Sequence, residues 1–397
     1  MRTKVKLKGG ISLIVLVITI IVMIILAAAI ILSLSNSGII SKANKAKTDS
    51  DTANLKEYVN TLRAEWELMT DAERAVKANS FEEYANQKLA ENGYKGAVGA
   101  DGEVYSNLNE NAMAAIRAGI KVGDVVTGYT VTSTTYTTDG SENTCDQNSL
   151  SETNPQPQTV ATNTDITWKY LGVNANGEME IMASLSTTAA VAANTKVTLG
   201  GKGGYLKGPD MLNTICEKLY SVSGIGTARS MNIYDVNNIL GYTGEKGSYH
   251  DNNSYLVKTP TALTIGEIES KLGTPLGNRT TPDGKELGTY YSDDYYIDKT
   301  SDVKEMKNPG NRDLVYNAKN TYWLASPCAY AEFGRGSAYF NVRYVYSTRV
   351  SADYLFGSRG STRSDTYAVR PVVSLKSNIQ ITRDTGETEW KINQVQN

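Results

Sequence analysis

Hydrophobic residues follow different patterns in different parts of the chain, and the first pattern is an unbroken apolar run. From Ile11 to Leu34 the chain carries no charged residue. A helix rises about 1.5 Å per residue, so this run spans roughly 36 Å, more than a bilayer core of about 30 Å. The run therefore predicts one membrane helix at residues 11–34.

The second pattern is helical. Apolar residues recur at spacings of three and four, with charged residues between them, at Leu55, Tyr58, Val59, Leu62, Trp66 and Met69. This spacing predicts an amphipathic helix with one face to bury. Thr70 and Glu73 fit a capping box, which predicts a second helix that continues to about Glu91. We therefore expect a helical stem at residues 35–96 and a linker at 97–121.

The third pattern begins near Gly123, where short apolar segments alternate with polar, turn-forming ones. Residues 167–173 and 178–183 predict a β-hairpin, because Asn174–Gly177 between them favours a turn. Short helices are expected at Leu212–Leu219, which would bury Leu212, Ile215, Cys216 and Leu219, and at Ile233–Ile239. Polar loops are expected at residues 138–163 and 274–320.

Proline changes the picture at domain level. All nine prolines lie at or after Pro155. Since proline is excluded from helix interiors, its distribution indicates a helical stem followed by a strand-and-loop domain. The expected fold class is α+β, with the domain at residues 122–377 and a C-terminal tail at 378–397.

The leader ahead of the apolar run is basic. Arg2, Lys4, Lys6 and Lys8 are accompanied by no acidic residue. This bias predicts that the leader stays in the cytoplasm and that the chain after the membrane helix is exported.

The junction Gly9-Gly10-Ile11, followed by an apolar run at full strength, resembles the prepilin signal of type IV pilins and type II secretion pseudopilins. This resemblance implies cleavage after Gly10 by a prepilin peptidase, methylation of Ile11 and contact with other pilin subunits. Val15 stands where the family has the glutamate that pairs with the neighbouring subunit's N-terminus. This departure favours a minor or tip pilin, or a tethered protein that does not polymerise. A plain signal anchor and a secretory peptide cleaved near Ala27–Ala29 remain alternatives.

Composition excludes several function classes. The formal net charge of −2 gives no electrostatic reason to expect nucleic acid. With His250 as the single histidine, most metal sites and catalytic triads are disfavoured. We therefore predict no cofactor, no metal and no enzymatic activity. Cys145, Cys216 and Cys328 are too few for a disulfide framework and are interpreted as buried single cysteines.

The segment Cys328–Tyr367, called the C-terminal window below, differs in composition from its flanks. It contains no Lys, Gln, Met, Trp, Ile or His, its only glutamate is Glu332, and it is rich in Tyr, Arg and Ser. Tyr and Arg supply large contact areas, and small polar residues adapt hydrogen bonds around them. The window therefore predicts a ligand-binding surface held between framework strands at Thr321–Pro327 and Tyr367–Leu375.

The predicted ligand contacts are the aromatic and polar residues of this window. They are Tyr330, Phe333, Arg335, Tyr339, Asn341, Tyr344, Tyr346, Arg349, Asp353, Tyr354, Phe356, Arg359, Arg363 and Asp365. Four apolar residues, Val342, Val345, Val350 and Leu355, are expected to face the core instead.

The framework segments also support a family resemblance. Trp168-x-x-Leu171-Gly172-Val173, Tyr322–Pro327 (YWLASP) and Val369–Leu375 (VRPVVSL) resemble exported bacterial domains of the C-type-lectin-like superfold, in the branch near formylglycine-generating-enzyme-like domains. The resemblance implies a compact mixed domain with long loops and a pairing of terminal strands. The active-site cysteine pair of the enzyme branch is not matched, and neither are the calcium and sugar motifs of true lectins.

The residues missing from the C-terminal window suggest a further hypothesis. Lys, Gln, Glu, Met and Trp are the amino acids that codons ending in C cannot encode. The window is similar in this respect to the variable regions that diversity-generating retroelements produce in lectin-fold proteins by mutating the adenines of AAC codons.

These observations predict a pilin-like surface protein or adhesin, anchored by one membrane helix, whose exported domain binds an external protein or glycan. A component of a type II secretion or pilus machine with no ligand of its own is the alternative, and a partner subunit would then bury the window. An exported enzyme using carboxylates such as Asp293, Asp294 and Asp298 is the weakest alternative.

Overall fold

The computed structural model describes residues 39–139, 157–184, 196–242, 297–298, 304, 306–316, 321–332, 337–357 and 363–394. The predicted membrane helix, the Gly10–Ile11 junction and most of the loop expected at 274–320 lie outside these residues. Within the described ranges, no helix is long and apolar enough to cross a membrane. The chain divides into two compact units, Met1–Lys77 and Ala78–Asn397.

The first unit contains the predicted amphipathic helix. Helix α1 spans Ile39–Leu68 and is followed by α2 at Asp71–Lys77. Leu55, Val59 and Leu62 are buried, as their spacing predicted. The capping box is also confirmed, because Glu73 N donates to Thr70 Oγ1 (3.3 Å) and Thr70 N donates to Glu73 Oε2 (2.8 Å).

The single helix predicted from Thr70 to about Glu91 is wrong. Helix α2 ends at Lys77, and a separate helix, α3, spans Phe81–Glu91 in the second unit. The reason is a second N-cap: Ser80 has an extended backbone, and its hydroxyl accepts a hydrogen bond from Glu83 N at 3.2 Å.

The second unit is built from many short strands and a few helices. Its strands are β1 Gly96–Val98, β2 Val104–Ser106, β3 Val125–Thr127, β4 Thr135–Thr137, β5 Thr159–Ala161, β6 Trp168–Val173, β7 Met179–Ala183, β8 Lys196–Gly200, β9 Gly226–Ser230, β10 Ile297–Asp298, β11 Tyr322–Glu332, β12 Ser337–Tyr346, β13 Arg349–Gly357, β14 Ser364–Ala368, β15 Pro371–Leu375, β16 Ile379–Thr382 and β17 Trp390–Gln394. Its remaining helices are α4 Glu110–Arg117, α5 Gly201–Tyr220, α6 Ile233–Leu240 and the short α7 Arg312–Val315. The fold class is therefore mixed α+β with several sheets, as expected.

The segment expected to be a linker is ordered structure. β1 and β2 pair antiparallel, and α4 follows them. Arg117 in α4 donates to the carbonyls of Tyr94 and Gly96 at 2.9 and 2.8 Å, which joins the helix to β1. Because Ala97 and Ala115 are fully buried between these elements, residues 97–121 pack within the second unit.

A seven-stranded sheet has the order β16-β17-β3-β6-β7-β15-β9. The predicted hairpin forms its centre as β6 and β7, which pair antiparallel. The expected C-terminal tail also belongs to this sheet: β17 lies parallel to β3, and Trp390 Nε1 donates to Asp124 Oδ2 at 3.0 Å. Burial of Ile379, Ile381 and Trp390 explains why this segment is not free.

A six-stranded sheet has the order β10-β13-β12-β11-β14-β8. The C-terminal window supplies the second, shorter part of β11 from Cys328 to Glu332, all of β12 and β13, and nearly all of β14. Two further pairs, β1-β2 and β4-β5, form small separate sheets. Strand β5 lies inside residues 138–163, so that the predicted loop is partly strand, and residues 140–156 of it lie outside the described part.

The main core joins the two large sheets through helix α5. It includes Val126, Ile181 and Val373 from the seven-stranded sheet and Leu199, Trp323 and Leu355 from the six-stranded sheet. Leu212, Ile215, Cys216 and Leu219 of α5 are buried in it, as predicted. Burial also raises the pKa of the Cys216 thiol, which is free. The side chain of Cys328 and all of Cys145 lie outside the described part of the chain.

Candidate functional site

The pairing of β11, β12 and β13 decides which predicted contact residues share a face. Directly paired residues of antiparallel strands lie on the same side of a sheet. The pairs Tyr346↔Arg349, Tyr344↔Ser351 and Val342↔Asp353 therefore share one side. The pairs Val345↔Val350, Arg343↔Ala352 and Asn341↔Tyr354 share the other.

Both sides of these strands carry buried apolar residues. Val342 and Leu355 belong to the main core, whereas Val345 and Val350 belong to a second core that includes helix α6. All four are fully buried, which confirms that they face the interior. Two predicted contact residues, Asn341 and Asp353, are buried as well, at 2% and 6% exposure, so neither can present a side chain freely to a partner.

The strands also separate the predicted contacts along their length. Tyr346 and Arg349 flank the tight turn between β12 and β13; Tyr346 is 41% exposed, and Arg349 lies over its ring at 5.8 Å. At the opposite end, β11 pairs Tyr330 with Tyr339, and Tyr339 pairs with Gly357 next to Phe356. Seven residues of strand separate Tyr339 from Tyr346, a distance of roughly 23 Å. The predicted contacts therefore occupy two ends of the sheet.

An acid and tyrosine cluster lies where β13 meets β14. Tyr367 Oη donates to Asp353 Oδ2 at 2.6 Å, and Arg363 Nε lies 3.0 Å from Asp365 Oδ2. Arg363 N also donates to the carbonyl of Leu355 at 2.8 Å, which ties the start of this segment to the end of β13. The Arg363 side chain is 59% exposed and Asp365 is 20% exposed, so this cluster is the accessible part of the window near Phe356.

The two carboxyl groups of this cluster influence each other. Burial and then the negative charge of Asp353 raise the pKa of Asp365 to about 6, against the opposing effect of Arg363. Burial and the hydrogen bond to Asp353 raise the pKa of the Tyr367 phenol. Because the folded state raises the pKa of Asp365, its protonation favours folding: this contribution is complete below about pH 4 and is lost as the pH rises through about 6.

Aromatic rings support this cluster from the core side. The Tyr344 and Tyr367 rings stack at 4.9 Å, and Tyr367 also contacts the buried ring of Trp323 at 4.6 Å. Trp323 Nε1 donates to the carbonyl of Val197 at 2.8 Å, which fixes the indole against β8. The half-buried ring of Tyr344 therefore packs on Tyr367, and Tyr367 packs on the buried indole of Trp323.

The framework strands of the window are held together by a buried arginine. Arg370, just before β15, donates to the carbonyl of Ala183 at 2.9 Å and to Tyr322 Oη at 3.0 Å. Tyr322 Oη in turn donates to the carbonyl of Val315 at 3.0 Å. This chain links β7, β11 and the segment before β15, and so joins two of the motifs behind the family resemblance, Tyr322–Pro327 and Val369–Leu375, to the β6–β7 hairpin.

The structure therefore brings together some predicted contacts and not others. Tyr344, Asp353, Arg363 and Asp365 meet in the acid and tyrosine cluster. Asn341 and Tyr354 lie on the opposite side of the sheet. Only the strand positions are described for Tyr330, Tyr339 and Phe356, and Phe333, Arg335 and Arg359 lie outside the described residues.

Sequence reasoning missed a second polar site. Arg229 of β9 donates to Glu180 of β7 at 3.1 Å and to Asp235 of α6 at 2.6 and 2.8 Å. Burial raises the pKa of Glu180, and Arg229 opposes this rise. The two carboxylates line a cavity of about 730 Å³. No local sequence motif predicts this site, because Glu180, Arg229 and Asp235 come from three separate segments of the chain.

Within the described ranges, no group of three or more His, Cys, Asp or Glu residues is arranged to hold a metal ion. Comparison with known proteins finds no matching protein family, no matching curated protein and no matching solved structure.

Proposed function

We propose that this protein is a pilin-like, membrane-tethered surface protein whose exported C-type-lectin-like domain binds an external protein or glycan through the C-terminal window. The observation that carries the proposal is the division of the window into buried and accessible positions. Buried valines and Leu355 anchor β12 and β13 in two cores, while Tyr346, Arg349, Arg363 and the partly exposed Asp365 occupy accessible positions around them.

The binding end of the window is the one near Tyr330, Tyr339 and Phe356. The strand register pairs Tyr330 with Tyr339 and pairs Phe356 with the adjacent Phe340, so all three positions lie at the same end of the sheet. The acid and tyrosine cluster adjoins this end through the Arg363 to Leu355 hydrogen bond. An exposed arginine beside half-buried tyrosines is the composition of energetic hot spots in protein interfaces. Tyr346 and Arg349, at the other end, would lie outside the same contact patch.

Sequencing the gene in natural isolates tests the binding role. We expect substitutions to concentrate at the codons of Tyr330, Tyr339, Phe356 and Arg363, because a surface that selects ligands diversifies while its support does not. If the retroelement hypothesis holds, the varying codons end in C. The codons of the β6–β7 hairpin, in the same gene, serve as the control and should stay constant. Variation spread evenly over the window and the hairpin would contradict the proposal and favour a machine component.

The tether is tested by mass analysis of the N-terminus of the protein isolated from its native envelope. The proposal expects a mature chain that begins at methylated Ile11, because a prepilin peptidase would cut after Gly10. Detection of an intact Met1 leader would be consistent with the membrane tether but would rule out pilin-type processing after Gly10. A terminus near Ala27–Ala29 would eliminate the membrane helix and with it the display role.

A further inference from the structure

The cavity that contains Glu180 and Asp235 belongs to different elements from the C-terminal window. Its walls come from the β1–β2 turn, from α4, β6 and β7, and from the segments around α6 and Pro309. None of its lining residues belongs to the window, so that a role for the cavity stands or falls independently of the proposed function. Its volume of about 730 Å³ is in the range of pockets that hold small organic ligands.

One wall of the cavity is apolar and aromatic. Ile116, Ile120, Leu171 and Val173 line it together with the ring of Tyr170, which is 4% exposed. Such a wall suits an aliphatic stem, because apolar area removed from water contributes about 25 cal/mol per Å².

The opposite part of the lining is acidic. Tyr105 Oη donates to Asp101 Oδ2 at 2.7 Å, and Gly99 packs so closely beneath this pair that an added Cβ would lie 2.5 Å from Asp101 Oδ1. At the mouth, Glu103 faces Lys307 at 3.7 Å, with both side chains largely exposed. Deeper in, Glu180 and Asp235 are almost completely buried and share the single guanidinium of Arg229.

The carboxylates act on a common region. Asp101 and Glu180 line the cavity together with Tyr170. Burial, then the negative charges of these two carboxylates, raise the pKa of the Tyr170 phenol. The lining contributes the four carboxylates of Asp101, Glu103, Glu180 and Asp235 against the two ammonium groups of Lys121 and Lys307, and Arg229 behind the lining brings the basic groups to three. The excess is negative, which disfavours anions and attracts a cation.

We propose that this cavity binds an organic cation on an aliphatic stem, of the kind that an arginine or lysine side chain presents. The apolar wall takes the stem, and the head group donates hydrogen bonds to the carboxylate oxygens of the lining. Bonds between a guanidinium or ammonium and a carboxylate are the stronger, charge-assisted kind. Glu180 and Asp235 are already bonded to Arg229, and Asp101 accepts one bond on each oxygen, from Tyr105 Oη and from Glu103 N. The second lone pairs of Asp101 and the exposed carboxylate of Glu103 therefore supply the acceptors for the head group.

The test compares two matched probes on the full chain in detergent micelles. N-acetyl-arginine amide carries the cation, and N-acetyl-citrulline amide has nearly the same shape without the charge. Titration calorimetry should show binding of the arginine probe at least tenfold tighter than the citrulline probe. Equal affinity for the two probes, or no binding of either, would overturn the proposal, and so would tighter binding of N-acetylglucosamine.

Variants locate the binding in the cavity. Asp101→Asn should weaken the arginine probe about tenfold, and Glu103→Gln, which lies at the exposed mouth, about threefold. Asp384→Asn is the matched control. Asp384 forms an exposed ion pair with Lys391, with 3.6 Å between Oδ2 and Nζ, and neither residue lines the cavity. It should leave the affinity unchanged. A result in which all three variants bind like the original chain would overturn the assignment of the site.

Discussion

Replacing Arg229 by methionine is expected to lower the free energy of unfolding by about 3 kcal/mol. The guanidinium is bonded to two carboxylates whose side chains are only 7% and 6% exposed, those of Glu180 and Asp235. Methionine keeps much of the volume of the side chain but none of the charge. Glu180 would keep its bond from Ser374 Oγ and Asp235 its bond from Asn232 N, but the two buried negative groups would have lost the cation between them. Urea unfolding followed by near-UV circular dichroism measures the loss.

Two comparisons make the Arg229→Met result specific. The loss should shrink on acidification, because protonation of the two carboxylates removes the uncompensated charge. Lys391→Met is the matched control: it breaks an ion pair whose side chains are 54% and 76% exposed, and it should change stability by no more than about 0.5 kcal/mol. A loss at Arg229 as small as that of the control would show that the triad is not a structural support.

Replacing Trp323 by alanine is the second large effect that we expect, a loss of about 3–5 kcal/mol. The indole is completely buried in the main core, and its removal would leave a cavity between β11, β12 and β14. It would also leave the carbonyl of Val197 without the Nε1 hydrogen bond. The same urea experiment measures this change.

Trp323→Phe is the matched variant for this site. Phenylalanine retains a ring against Tyr367 and loses chiefly the hydrogen bond to Val197, so its expected cost is about 1–2 kcal/mol. The difference between the two variants measures how strongly the indole supports the stacked tyrosines of the window. Equal losses for alanine and phenylalanine would contradict a packing role and assign the whole effect to the hydrogen bond.

Periodic segments were the part of the fold that local sequence predicted well. The three- and four-residue spacing of Leu55, Val59 and Leu62 defines a helical face, and the Asn174–Gly177 turn defines the β6–β7 hairpin. In both cases neighbours within a few residues decide the structure, through turn geometry or a helical stripe. The burial of Val342, Val345, Val350 and Leu355 followed from their apolar side chains in an otherwise polar window, although they enter two different cores.

Long-range pairing could not be derived in this way. Residues 378–394 contain a polar stretch typical of a tail. β17 nevertheless pairs with β3, because Trp390 and Val126, which are separated by more than half of the chain, are both buried in the main core. Residues 97–121 were expected to be a linker for the same reason: their short strands and α4 gain stability only from contacts made by distant segments.

The amino-acid sequence by itself determined several local elements, the composition of the C-terminal window and the burial of its valines and Leu355, since these depend on residue type and short spacing. Only the tertiary structure decided that the window's predicted contacts lie at two ends of a sheet, that Asn341 and Asp353 are buried, and that Glu180, Arg229 and Asp235 meet beside a cavity. Strand register and the packing of separate segments set these distances, and both are properties of the whole folded unit rather than of any stretch within it.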